Sequence, residues 1–263
     1  MRILRRMLGA VLAISAALAL LTLLTDALAG SPQLMLSLME RYAPPENTGL
    51  AAEDYPQAAA MIAGYLSGET DTFQLSATVN GTETEEAFGS REQTHMADVR
   101  GLFQLDRAVA LGAVALSLLC VTVCYVLRRP DRQALRGFRD GLRGMLTVLA
   151  ALMVWGAVDF DSLFILFHRL AFTNDLWLLN PETDLLIRLM PTDFFVHYAA
   201  LIGGSWLGGL CLAEAGVELF LRRGGAGWRS AIQKGDKSRD STLGKNTVRQ
   251  WKKAAGKSHA KVC

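Results

Sequence analysis

The run AVALGAVALSLLCVTVCYVL, from Ala108 to Leu127, holds no charged residue. Coiled as a helix at about 1.5 Å per residue, it crosses the ~30 Å hydrocarbon core of a bilayer. Three further stretches fit the same template: Met7–Thr25, Met145–Phe167 and His197–Leu221. The third is the weakest. Asp159 and Asp161 interrupt it, so its outer end is expected at the lipid–water boundary. The fold class that follows is mainly α: a polytopic membrane protein with four transmembrane helices and a small extracytoplasmic cap of short helices and a hairpin. With 51% hydrophobic residues and a mean hydropathy of +0.24, the 263-residue chain is too apolar for an ordinary soluble domain.

Charge orients the spans. Of 27 Lys and Arg, 21 fall before the first span, between the second and third, or after the fourth. Those segments share one side in a four-span topology, so both termini are expected on the cytoplasmic side of the membrane. The expected layout is 1–29 (N-terminus and first span), 30–107 (cap), 108–127 (second span) and 128–143 (basic cytoplasmic loop). It continues with 144–167 (third span), 168–196 (outer loop), 197–221 (fourth span) and 222–263 (basic, disordered cytoplasmic tail). Arg2, Arg5 and Arg6 before an apolar run, with Ala27-Leu28-Ala29 after it, also read as a secretory signal. Met7–Thr25 exceeds the about 7–15 residues of a signal core, so a retained helix is the preferred reading.

Within the cap, Ser31-Pro32 opens a short helix that Pro44-Pro45 ends, and Asp54 is placed to cap a second at Tyr55–Leu66. Phe73–Val79 alternates as a strand, and Asn80-Gly81 is a hairpin turn. Asn80-Gly81-Thr82 also matches a glycosylation sequon, but the turn accounts for the same residues. Arg91–Arg107 reads as a helix leading into the second span. Gly204 and Gly208 suggest a close helix-packing face in the fourth.

Both outer segments carry a histidine: His95 in Arg91-Glu92-Gln93-Thr94-His95-Met96-Ala97-Asp98-Val99, and His168 in Phe167-His168-Arg169-Leu170-Ala171-Phe172-Thr173-Asn174-Asp175-Leu176-Trp177. Imidazole titrates unassisted near neutral pH, so two at one boundary suggest proton transfer on a lipid. Asp98, three residues after His95, can orient that ring; equally, the two can be a solvated pair. His197 is read as structural or headgroup-facing. The cysteines Cys120, Cys124, Cys211 and Cys263 are absent from the outer segments, so neither a disulfide framework nor a thiol nucleophile is expected there. No G-x-S-x-G elbow, H-E-x-x-H helix, Walker loop or dinucleotide fingerprint occurs. No metal, no cofactor and no nucleic-acid partner is expected; the basic tail would attract anionic membrane lipid. A base, an acid and orientation suffice when the substrate brings its own nucleophile.

Arg91-Glu92-x-x-His95-Met96-x-Asp98-Val99 ahead of a span resembles the lipoprotein intramolecular transacylase (Lit) family. So does Asp159-Phe160-Asp161-x-x-Phe164-x-x-Phe167-His168-x-x-x-Phe172-x-Asn174-Asp175-x-Trp177, continuing through Pro181-x-Thr183-Asp184 to Met190-Pro191-x-x-Phe194-Phe195. The resemblance covers nearly all of residues 1–221. It implies an acyltransferase whose substrates are diacylated bacterial lipoproteins. One ester-linked chain of the diacylglyceryl-cysteine moves to the same cysteine's α-amine, giving a lyso-form lipoprotein. It also implies His95 and His168 as the catalytic pair. His168 is taken as base, with Asn174, Asp175 and Asp161 as candidate orienting groups and Asp98 as partner of His95. The alternative is a non-enzymatic module that binds lipid or a partner protein through the same outer surface. A metal site built from the two histidines and outer aspartates is a weaker third reading.

Overall fold

The computed structural model describes residues 2–126 and 132–222. Its helices are α1 (Arg2–Ala29), α2 (Pro32–Tyr42), α3 (Pro45–Thr48), α4 (Tyr55–Ser67) and α5 (Ser90–Val126). They continue with α6 (Arg132–Val158), α7 (Phe160–Ala171), α8 (Leu185–Leu189) and α9 (Thr192–Arg222). One hairpin, β1 (Ala77–Val79) with β2 (Thr82–Thr84), completes the set. Helices α1, α5, α6 and α9 are long and apolar enough to span a membrane.

The spans extend beyond their apolar runs. The helix expected over Arg91–Arg107 and the second span form one element, α5, which runs without interruption from Ser90 to Val126. Helix α6 begins at Arg132, inside the stretch expected to be a loop, and stops at Val158 rather than continuing to Phe167. Asp159 ends it by leaving the helical conformation (φ −152°, ψ 81°) and capping α7, its Oδ1 accepting the Ser162 N–H at 3.0 Å. The tail beyond Arg222, with Cys263, and residues 128–131 of the basic loop lie outside the described residues.

Small residues close the α1–α6 contact. A Cβ on Gly137 would come 1.9 Å from the Arg6 carbonyl oxygen, and one on Gly9 1.9 Å from that of Ala134. Ala13, Ala17, Leu142, Leu149, Trp206 and Leu210 form the core between the spans, and the Trp206 indole N–H donates to the Ala17 carbonyl at 2.8 Å. Among the described residues nothing lies within 4 Å of where Cβ atoms on Gly204 and Gly208 would be, so the expected packing face meets none of them. Trp206 and Gly209, on roughly the opposite side of α9, meet α1 instead.

The cap has its own core, including Met39, Leu50, Tyr55, Ile62, Phe88 and Leu189. Ser31 caps α2, its Oγ accepting the Leu34 N–H at 3.3 Å. Asp54 does not cap α4; its Oδ2 accepts the Thr78 N–H at 2.7 Å and ties the helix start to β1. The hairpin turns at Asn80 (φ 53°) and Gly81 (φ 78°), the left-handed pair a two-residue turn needs. The strand is shorter than expected, because Phe73 and Leu75 are buried against the cap core as irregular chain. By internal packing the chain divides into Met1–Glu214, which holds everything above except the end of α9, and Ala215–Cys263.

Candidate active site

Helix α5 places Glu92, His95 and Met96 on its buried side. Glu92, 2% exposed, accepts the Gly89 N–H on Oε2 and the Leu186 N–H on Oε1, both at 2.6 Å. It thereby fastens the start of α5 to α8, and its burial raises the carboxyl pKa. The sequence offered one signal for this role, its place three residues before His95, but nothing that identified Leu186 as its partner.

The cap at Asp159 sets the start of α7, and two turns later His168 points inward. His95 and His168, 7% and 8% exposed, face each other with ring centroids 6.3 Å apart. Phe172 contacts both, at 5.3 Å from His95 and 5.6 Å from His168. Phe164, Phe167 and Trp177 complete an aromatic enclosure of His168, at 4.1, 5.3 and 5.0 Å.

The two imidazoles differ in their partners. His168 Nδ1 lies 2.8 Å from the Phe164 carbonyl oxygen. A carbonyl only accepts, so Nδ1 carries the proton and Nε2 presents its lone pair. His95 Nδ1 is buried with no hydrogen-bond partner among the described residues. Burial, reinforced by the neighbouring His168, pushes the His95 pKa down to about 4, against the opposing pull of Asp98. Burial also lowers His168, partly offset by the Phe164 carbonyl. Both rings are therefore neutral at neutral pH.

The acidic and amide candidates take different places from those expected. Asn174 Nδ2 donates to Asp98 Oδ2 at 2.9 Å, while the Asp98 charge still acts on His95. Arg91 donates to the Asp175 carbonyl oxygen, making a second tie between the histidine-bearing segments. Asp161 lies exposed in the first turn of α7, and no hydrogen bond joins it to either ring among the described residues. His197 sits apart, its ring nitrogens 2.7 and 2.8 Å from the Tyr42 hydroxyl. Among the described residues no three His, Cys, Asp or Glu side chains converge as a metal set.

Beside the pair opens a cavity of about 520 Å³. Ile165, Phe172, Trp177 and Leu178 form its apolar part; Arg169, Thr173, Asn174 and Asp175 form its polar part. Phe172 and Trp177 thus separate the cavity from His168 by one ring.

A family model described as lipoprotein intramolecular transacylase Lit matches residues 10–195. Among solved structures, the membrane-integral lipoprotein intramolecular transacylase Lit from Bacillus cereus superposes with a TM-score of 0.68 at 22% identity, covering 85% of this chain and 98% of that one. Two variants of the same Bacillus cereus protein, with one histidine replaced by arginine or by alanine, each give a TM-score of 0.66 at 22% identity. They cover 84% of this chain and 93% and 94% of theirs. No curated protein matches by sequence.

Proposed function

The chain belongs to the lipoprotein intramolecular transacylase (Lit) family of membrane-integral enzymes, and on that premise we propose that its histidine pair carries out an ester-to-amine acyl transfer. The substrate is a lipoprotein whose N-terminal cysteine bears a diacylglyceryl group and a free α-amine. The amine nitrogen attacks one ester carbonyl carbon, a C–N bond forms, and the C–O bond to glycerol breaks. The product is a lyso-form lipoprotein, N-acylated and keeping one ester. The reaction centre lies on the extracytoplasmic face, with residues 30–107 and 168–196 outward and the basic segments 1–6, 128–143 and 222–263 in the cytoplasm.

The observation that carries this reading is the hydrogen bond from His168 Nδ1 to the Phe164 carbonyl. It leaves Nε2 free to take a proton from the attacking amine, whose own pKa near 7.7–8 makes a neutral imidazole a competent base. His95, held neutral by burial, acts as an N–H donor to the developing oxyanion rather than as a resident imidazolium. The proton taken by His168 returns to the departing glyceryl oxygen. No acyl-enzyme is needed, because nucleophile and ester belong to one molecule.

Mass spectrometry of a purified diacylated lipoprotein, incubated with the protein in detergent, tests this. The expected result is unchanged total mass with one chain relocated to the N-terminal amine. His95→Ala and His168→Ala should each lower the rate by about 10²–10⁴ while the protein stays folded. If the folded native protein moves no chain from several donors, the reading is wrong, and a lipid- or partner-binding role replaces it.

A further inference from the structure

We propose that the cavity beside the histidine pair holds the acyl chain that is not transferred, and so decides which of the substrate's two esters reacts. This rests on the transacylase reading above. The two esters sit on neighbouring glycerol carbons, so when one carbonyl lies between His95 and His168 the other is only a few bonds away. The cavity is at that remove: Trp177 and Phe172 line it and also contact His168, at 5.0 and 5.6 Å, while neither histidine lines it. Whatever enters it is next to the reacting ester and does not itself react.

Its chemistry favours an ester-linked chain over peptide. Ile165 and Leu178 are 39% and 53% exposed, an apolar floor open to a guest. Leu166 and Leu170, one position further round α7 from Ile165 and Arg169, are 38% and 79% exposed and continue that apolar surface out of the cavity. A hydrocarbon chain leaving the cavity along this strip keeps apolar contact; a peptide there would leave its backbone groups unpaired. At the polar side, Arg169 offers a guanidinium and Thr173 a hydroxyl. Both can donate to the oxygens of the retained ester. At about 520 Å³ the cavity accommodates the glyceryl end of such a chain but not two chains.

Two lipopeptides with the same migrating chain, one keeping a palmitoyl and the other an acetyl ester, provide the test. The native protein should turn over the palmitoyl form with the higher kcat/KM. Ile165→Trp, which fills the floor, should lower kcat/KM for the palmitoyl form by about tenfold or more and bring the ratio of the two substrates close to one. An unchanged ratio, whether both rates fall together or neither falls, overturns the cavity assignment while leaving the transacylase reading standing. No transfer by the native protein from either substrate overturns the transacylase reading and the assignment with it. Photocrosslinking to the native protein gives a readout independent of the variant's folding. A diazirine near the ester of the retained chain should label Ile165, Trp177 or Leu178. Label confined to the transmembrane helices, or label at these residues only from a diazirine in the peptide, rules the assignment out.

Discussion

Asn174 donates a hydrogen bond to the carboxylate of Asp98 at 2.9 Å, across 76 positions of sequence. Each had been expected to orient a different histidine. Their actual partnership ties the segment carrying His95 to the segment carrying His168, and the Arg91 bond to the Asp175 carbonyl runs alongside it. The pair is exposed, so its contribution to global stability is small. Under the proposed mechanism its effect falls on the spacing of the two rings, where a 1 Å error is costly to rate.

Asn174→Ala is therefore expected to lower kcat/KM by about tenfold, equivalent to roughly 1.4 kcal/mol, with little change in Tm. Asp98→Ala, which removes the acceptor, should do the same. The double variant Asp98→Ala with Asn174→Ala should lose no more than either single change, because both remove one bond. Additive losses in the double variant would show that the two residues act separately.

His95 makes stability depend on pH. Free in the unfolded chain it protonates below about 6.5, but buried it does so only near 4. As pH falls from about 6.5 the unfolded chain takes up the proton first, so stability is full above that value, declines towards pH 4 and levels off below. The span of the decline is roughly 3 kcal/mol. His168, lowered by burial too, pushes in the same direction. Thermal unfolding in detergent should give a lower Tm at about pH 4.5 than at about pH 7.5, and His95→Gln should flatten that difference. A variant with the native slope would mean that His95 is not the group being titrated.

The tautomer of His168 is directly observable. Nitrogen-labelled histidine spectra at neutral pH should show His168 as the neutral ring protonated on Nδ1, because the Phe164 carbonyl can only accept. A ring protonated on Nε2 would remove the lone pair that the proposed base needs.

Much of this was legible in the sequence, and what escaped it did so for a physical reason. The four spans, the Asn80-Gly81 turn and the Ser31 cap are local, written in charge-free length or in a few adjacent residues. The resemblance of two separated motifs brought His95 and His168 together before any geometry did. Contacts such as Glu92 with Leu186, Asp98 with Asn174 or Gly137 with the Arg6 backbone join residues far apart and leave no period or spacing to read. Asp54 illustrates the limit of local signals: its position suits a helix cap, yet the Thr78 N–H of a strand competes for the same carboxylate and wins.

Glu92 should matter more to stability than its distance from either imidazole suggests. Both its oxygens are occupied by backbone N–H donors in a buried place. Glu92→Ala strands two donors, and Glu92→Gln presents an amide N–H to one of them. Each is expected to cost roughly 2–5 kcal/mol, the alanine variant more. Calorimetry in detergent measures this; an unchanged Tm in both variants would mean that the clasp to α8 contributes nothing.

The spans carry glycines of two kinds, and substitution should separate them. At Gly137 an added Cβ meets the Arg6 backbone oxygen at 1.9 Å, a contact only a shift of α1 or α6 can relieve. At Gly208 the same atom meets nothing within 4 Å among the described residues, so a side chain there displaces none of them. Gly137→Leu is accordingly expected to destabilise by at least about 1–3 kcal/mol, the range of overpacked cores, because backbone rather than a movable side chain is in the way. Gly208→Leu should stay within about 0.5 kcal/mol of native. Thermal inactivation half-lives of the two variants in detergent compare them under one condition. The reverse order, with Gly208→Leu the damaging change, would mean that the glycine face of α9 is covered in the working protein and that the α1–α6 crossing is looser than the described distances.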